Sequence, residues 1–175
     1  QVPLIPRAGG TSLAGQVVGN GLVVDVSKYL TQIYNPDLEN HTIWVQAGVV
    51  RDDLNAYLKP FHLFFAPETS TSNRACLGGM FGNNSCGSNS LIYGSTRAHV
   101  LEAKGFLSDG SYVHFKNITE EEWNKITKDS SREATIYKSL FNLLHPEEVI
   151  VEINQQFPDS RIRRRNSGYA IDELV

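Results

Sequence analysis

Between Pro6 and Gln16 the chain reads Pro-Arg-Ala-Gly-Gly-Thr-Ser-Leu-Ala-Gly-Gln, a set of residue types suited to an anion. The paired Gly9 and Gly10 let a backbone turn sharply, so several N–H groups can converge on one oxyanion. Thr11 and Ser12 add hydroxyl donors, and Arg7 adds a positive charge. A phosphate is the group such a loop would hold. The plainer alternative is a glycine-rich turn joining two strands. Gly10 and Gly15 have the separation of a Walker loop, but Gln16-Val17 replaces the Lys-Ser/Thr that would hold a terminal phosphate and magnesium. No G-x-G-x-x-G follows a strand here, so this is not the dinucleotide fingerprint either.

A second stretch, Pro67 to Thr96, is packed with Gly, Ser, Thr and Asn but interrupted by Leu77, Met80, Phe81 and Ile92. A disordered linker would lack those apolar anchors. A long polar segment tied down by apolar residues reads as a binding loop. Its small side chains permit close backbone approach, and its hydroxyls and amides can bond ribityl and pyrophosphate oxygens. Two such loops in one small domain can surround an extended diphosphate cofactor. Glu68 fits poorly, since an acid beside a diphosphate is unfavourable unless it meets a ribose hydroxyl or faces solvent. It is assigned no contact.

Several elements must position these loops. Leu22–Val26 is a short β-rich run after the turn signal Gly19-Asn20-Gly21, and Thr42–Ala47 is a second strand candidate ended by Gly48. Val50, Leu54, Tyr57 and Leu58 keep helical spacing until Pro60. Val100–Leu107 and Tyr112–Phe115 flank Asp109-Gly110, a hairpin signal. Thr119-Glu120-Glu121-Glu122 resembles a capping box opening a helix around Trp123. A helix over Arg132–Leu144 follows, and Pro146 starts another running to Gln156. Hairpins, isolated strands and peripheral helices favour α+β over a doubly wound parallel sheet.

The 175 residues suit one domain, and the formal net charge of −3 gives no reason to expect nucleic acid or an anionic membrane as partner. The arginines at 161, 163, 164 and 165 form a basic cluster, which as a solvated loop would bind nothing. Cys76 and Cys86 are too few for a disulfide framework or a self-contained zinc site and read as reduced thiols of a cytoplasmic protein. No metal site and no membrane insertion are expected. The chain opens inside the apolar segment Val2–Pro6 and stops at Ile171–Val175, which reads as the start of an element. It is therefore expected to be the central part of one larger domain.

The order of motifs carries a resemblance. Arg7–Ser12, the strand Val23-Val24-Asp25, Val45-Gln46-Ala47-Gly48, then Pro67, Gly78-Gly79, Asn83-Asn84 and Tyr93-Gly94 resemble the vanillyl-alcohol oxidase/p-cresol methylhydroxylase superfamily over residues 3 to about 116. Arg165–Leu174 resembles the segment shortly before that domain's closing motif. The branch most similar comprises the FAD-linked glycolate oxidases, D-lactate dehydrogenases and D-2-hydroxyglutarate dehydrogenases. The version Pro67–Arg74 is similar to the large fused members with a C-terminal iron–sulfur region, which implies a cluster elsewhere in the parent protein.

The resemblance implies an α+β FAD-binding domain with a mixed or antiparallel sheet flanked by helices, incomplete at both ends. Arg7, Ala8, Gly9, Gly10, Thr11 and Ser12 would surround the FAD pyrophosphate. Pro67, Thr69 and Ser72 would line the cofactor path. Gly78, Gly79, Asn83, Asn84 and Ser85 would lie near pyrophosphate, ribityl or isoalloxazine, and Tyr93-Gly94 would close the loop. For Asn83 and Asn84, turn-capping is the alternative. Some branches attach FAD through a histidine in the first loop; Thr11 stands there, with His62 and His99 outside the motif, so a noncovalent cofactor is implied. The implied reaction is oxidation of a D-2-hydroxyacid, with a base taking the hydroxyl proton and hydride passing to flavin N5. A small-molecule substrate and an electron acceptor would be the partners. The catalytic base would sit in a substrate cap after Val175, and no catalytic residue is named. Arg165 and Asn166 are candidates for approaching the flavin. An alcohol or sugar substrate, or a non-catalytic nucleotide-binding module, are the competing readings. A generic nucleotide binder has no need of the second loop.

Overall fold

A computed structural model describes residues 2–159, 161–162 and 168–175. Most of the basic cluster, together with Arg165 and Asn166, lies outside the described residues. The chain divides into two compact units, Gln1–His99 and Val100–Val175.

In the first unit β1 (Leu4–Arg7) pairs in parallel with β2 (Leu22–Asp25), with Leu4 opposite Leu22 and Arg7 opposite Asp25. The loop Ala8–Gly21 makes the crossover between them. The unit's core lies further along the chain. Helix α1 (Arg51–Leu58) carries Leu54 and Leu58 one turn apart, and both are buried with Val49 and Leu77. Ile33, Ile43, Val45, Tyr57, Leu63 and Phe65 pack around them. Asp52 and Asp53 stand in the first turn of α1, where the positive end of the helix dipole favours acids. Pro60 does not abolish helicity at once. It sits early in a 3₁₀ turn, Lys59–Phe61, which ends at His62 in the left-handed region with φ 57°.

The expected strand Thr42–Ala47 is not a continuous strand. It makes isolated antiparallel bridges, Val45 with Ile33 and Thr42 with Asp37. The segment facing it contains Pro36, which has no N–H to donate, so the ladder breaks between Tyr34 and Asp37. The long polar segment also holds more structure than a loop: α2 (Leu77–Gly82), α3 (Ser90–Tyr93) and a 3₁₀ turn at Thr96–His99.

In the second unit β3 (Ala103–Phe106) and β4 (Tyr112–Phe115) form the expected antiparallel hairpin. Gly110 takes φ +84°, and the Asp109 carboxylate accepts from both the N–H and the hydroxyl of Ser111. Those two bonds hold the Asp109 carboxyl below its ordinary pKa. Helices α4 (Glu120–Ile126), α5 (Arg132–Leu144) and α6 (Glu147–Gln156) follow. Trp123 of α4 meets Phe141 and Tyr137 of α5, with ring centroids 5.1 and 5.9 Å apart, and Tyr137 also meets Phe115 of β4 at 6.3 Å. These rings join hairpin and helices into one small core, and burial pushes the Tyr137 hydroxyl above its ordinary pKa.

Helices and small sheets are both present, as α+β requires. Among the described residues the strands form one parallel pair, β1–β2 in the first unit, and one antiparallel pair, β3–β4 in the second.

Candidate cofactor site

The two glycine-rich loops meet. A Cβ on Gly9 would lie 2.2 Å from the carbonyl oxygen of Arg74, and one on Gly79 would lie 3.2 Å from the Ala8 Cβ. The first loop is thus seated on the second through atoms that tolerate no side chain at Gly9. Gly10 has φ +64°, which L-residues with a Cβ rarely adopt, and a Cβ there would lie 3.0 Å from the Arg7 guanidinium. Arg7 therefore folds its charge over the turn that follows it.

The first loop keeps its donors unspent. Among the described residues, no backbone N–H from Ala8 to Val17 donates within the protein; the first that does is Val18, to the Gly15 carbonyl at 3.0 Å. The Ser12 hydroxyl donates to Gln16 Oε1. Backbone amides left without internal acceptors need solvent or a ligand. A negatively charged group bearing many oxygens fits that supply.

The second loop is anchored by its backbone. Leu77 and Gly78 N–H donate to the carbonyls of Val49 and Ala47 at 2.8 and 2.9 Å, and Arg51 N–H donates to Ala75 at 2.9 Å. Gly78 lies so close to Ala47 that a Cβ would stand 2.6 Å from the alanine methyl. Its glycine is required by packing against Val45–Gly48, not by a free N–H. Gly79 differs, being exposed beside Ala8.

The remaining candidates divide in the same way. Pro67 is buried, and its carbonyl accepts from Arg51 Nε at 3.0 Å. Thr69 builds a turn, accepting Ser72 N–H on its carbonyl and Thr71 N–H on its hydroxyl. The Ser72 hydroxyl donates to Asp52 Oδ2 at 3.1 Å, tying the loop to the start of α1. Asn84, at φ 45°, accepts Arg97 N–H on Oδ1 at 2.9 Å, which is the turn-capping role. The Ser85 carbonyl accepts both the N–H and the hydroxyl of buried Thr96. Asn83 is exposed, with Nδ2 at 3.5 Å from the Ser85 hydroxyl. Gly94 is buried at φ 76° and ends α3. The structure thus seats Ala8 beside Gly79 and Gly9 on the Arg74 carbonyl, while Pro67, Ser72, Gly78, Asn84 and Gly94 shape the second loop.

Three side chains do what the sequence alone left unassigned. Glu68 accepts the Ser88 hydroxyl and the Asn89 N–H, pinning one end of the loop to the start of α3; those bonds, Ser88 first, hold its carboxyl below the ordinary range. Arg51 spans the carbonyls of Pro67 and Phe65 and also pairs with Asp52 at 3.1 Å. Asn55 clasps the Phe65 backbone, accepting its N–H at 2.7 Å and donating to its carbonyl at 3.2 Å. An arginine at the first position of a helix sits against the dipole, and that was the legible sign that Arg51 serves a neighbour. His62 and His99 are also accounted for: His62 terminates the turn after α1, and His99 Nε2 lies 2.8 Å from the Tyr93 carbonyl.

Residues 1–116, which include both loops, match the FAD binding domain family. The chain belongs to that family. Over 174 residues it is 38% identical to the D-2-hydroxyglutarate dehydrogenase of Pseudomonas putida, covering 99% of this chain and 17% of that protein. The Escherichia coli D-2-hydroxyglutarate dehydrogenase is 37% identical over 94% of the chain and 16% of its own length. Bacillus subtilis glycolate oxidase subunit GlcD is 35% identical over 65% of the chain and 24% of its own length. These relatives put the FAD binding domain in the glycolate oxidase and D-2-hydroxyacid dehydrogenase branch of the vanillyl-alcohol oxidase superfamily. The chain spans about a sixth of the length of the D-2-hydroxyglutarate dehydrogenases that it matches. Among the described residues no helix is long and apolar enough to cross a membrane, and no group of three His, Cys, Asp or Glu could hold a metal ion.

Proposed function

We propose that this chain holds the diphosphate of a noncovalent FAD on Arg7, Ala8, Gly9, Gly10, Thr11 and Ser12, within a flavoenzyme that oxidises a D-2-hydroxyacid. The observation that carries the reading is the unspent run of N–H groups from Ala8 to Val17, seated on the second loop at Gly9 and Gly79. Gly79 and Asn83 lie on the exposed side of the second loop and are assigned to the cofactor path with Thr69, Ser72 and Ser85. Pro67, Gly78, Asn84 and Gly94 hold that path in shape. Thr11 carries no group able to attach a flavin in the way a histidine does. Bound here, FAD supplies the two-electron acceptor that oxidation of an α-hydroxyl carbon requires.

The work of these residues is positional and electrostatic. Amides and hydroxyls of the first loop replace the water around the phosphates, and Arg7 offsets their charge. The proton-abstracting base is assigned to no residue of this chain. Both compact units are assigned to one FAD-binding domain, because the family match runs through the first and into the hairpin of the second. The iron–sulfur cluster and the electron acceptor are assigned to the rest of the parent protein.

The test is anaerobic flavin bleaching in the full-length protein. D-2-hydroxyglutarate, D-lactate and glycolate are added in turn, each beside its L enantiomer where one exists, and then a primary alcohol and a sugar. Bleaching by a D-2-hydroxyacid supports the reading. Bleaching by an alcohol or sugar alone would overturn the substrate class, and absence of any flavin would overturn the site.

A further inference from the structure

Arg74 is the cation of the second loop that the family motifs leave without a role. Its carbonyl is the group against which Gly9 is packed, with no room for a Cβ between them. The same carbonyl accepts from the buried Cys76 Sγ at 3.8 Å, and Arg74 N–H donates to Thr71 at 2.9 Å. The backbone of Arg74 is therefore fixed from both sides, directly beneath the first loop. Its side chain is not consumed in holding it there. Arg74 is exposed, makes no ion pair among the described residues, and donates from Nη1 to the carbonyl oxygen of the Asn73 side chain at 2.9 Å. A guanidinium carries five N–H donors in a fork that matches phosphate oxygens, so most of them are uncommitted.

The charges around this junction favour an anion there only if arginine supplies them. Asp25, at the end of β2, lies within electrostatic range of Arg7, and it is already satisfied by the N–H and hydroxyl of Ser27. Asp25 and Asp53 both act on Cys76, two residues from Arg74. A dianionic ligand seated on the Gly9–Ser12 amides would bring two negative charges to a loop whose own side chains supply one positive charge, that of Arg7. One arginine does not balance them.

Resting on the reading that the first loop holds the FAD diphosphate, we propose that Arg74 is a second diphosphate-binding residue, closing on the cofactor from the second loop opposite Arg7. Gly9 then has two tasks: it exposes its own amide, and it brings the Arg74 backbone within reach of the ligand.

The test uses the flavin-stripped full-length protein, with FAD titrated by fluorescence quenching into wild type, R74K and R74A. The melting midpoint of each apo form and the salt dependence of each Kd are read alongside. Losing a charge-assisted contact to phosphate should raise the Kd of R74A about tenfold or more. R74K should fall between R74A and wild type, because lysine keeps the charge and loses the fork. Apo midpoints should agree, and the R74A Kd should rise less steeply with salt than that of wild type. An R74A Kd within twofold of wild type overturns the proposal while leaving the FAD site intact. So does a loss of affinity that comes with a lowered apo midpoint and an unchanged salt slope, which marks a structural residue. A wild-type protein that takes up no FAD overturns both this proposal and the reading on which it rests.

Discussion

Gly9 and Gly15 lie in the same loop and fail for different reasons when given a side chain. A methyl on Gly9 would meet the Arg74 carbonyl oxygen at 2.2 Å, and backbone on both sides leaves nothing flexible to yield. Gly15 has φ +73° with nothing within 4 Å. Gly9→Ala is therefore expected to separate the two loops, costing about 1–3 kcal/mol of stability by overpacking and abolishing flavin retention. Gly15→Ala should cost about 1 kcal/mol through backbone strain alone and leave the flavin bound. Melting curves and flavin-to-protein absorbance ratios of the two full-length variants check both; retention of flavin by Gly9→Ala would show that the loops need not touch. Glu68 gives a pH-dependent case at the same scale. Its folded pKa is depressed by Ser88 and Asn89, so its stabilisation is present above the ordinary carboxyl pKa and disappears as pH falls through the depressed value. Between about pH 5 and 3, wild type should lose more of its melting midpoint than Glu68→Gln does. Parallel loss in the two proteins would mean that the bonds to Ser88 and Asn89 contribute nothing.

At the scale of elements, helices with their own start signals were legible and pairings between distant segments were not. Thr119 and Glu122 form the reciprocal capping box that their spacing suggests, and α5 occupies the expected Arg132–Leu144 with Ser131 as its cap. Both depend on contacts three residues apart, which local sequence encodes. The hairpin was readable because Asp109-Gly110 specifies its turn. Thr42–Ala47 makes only isolated bridges because its β-rich composition says nothing about the partner, and the partner contains Pro36. The parallel pairing of β1 with β2 joins segments across a 14-residue loop, Ala8–Gly21, and no local pattern announces it. The loops themselves were legible by composition, but their contact through Gly9 and Arg74 was not, because a glycine does not say which backbone it approaches. Two substitutions measure these element-level contributions. Thr119→Ala should remove about 1 kcal/mol, read from urea unfolding, with Glu122 losing its reciprocal bond as well. Asn55→Ala leaves the half-buried Phe65 N–H without its acceptor, while Arg51 still serves the carbonyl, and should cost about 2 kcal/mol. It should also raise the FAD Kd of the full-length protein, since Phe65 leads directly into the second loop. An unchanged Kd would mean that the path of this loop is set by Arg51 and Asp52 alone.

For the whole molecule, the strands that flank the first loop are open to solvent. Leu4, Leu22, Val23 and Val24 of the β1–β2 pair are 67, 58, 44 and 42% exposed, and Leu13 of the first loop is fully exposed. Two parallel strands with both faces open do not form a stable wall, because all-parallel sheets are normally covered on each face. Tight small-molecule sites bury most of their ligand's surface, whereas the proposed site consists of one rim of amides and one partner loop. The relatives place the same segment within proteins of which it makes up 17% or less in the D-2-hydroxyglutarate dehydrogenases. On the proposed reading the amides of Ala8–Val17 hold the diphosphate, and the open strands beside them cover little of the remaining cofactor. This chain alone is therefore expected to bind FAD weakly or not at all and to show no turnover with D-lactate, glycolate or D-2-hydroxyglutarate. Isothermal titration of FAD into the isolated chain, compared with the flavin-stripped full-length protein, reads the difference as Kd. Acid precipitation of the full-length holoprotein should release its yellow colour to the supernatant, as noncovalent binding at Thr11 requires; colour held in the pellet would contradict it. Submicromolar binding by the isolated chain would mean that the two loops suffice, and that the exposed β1–β2 surface plays no part in holding the cofactor.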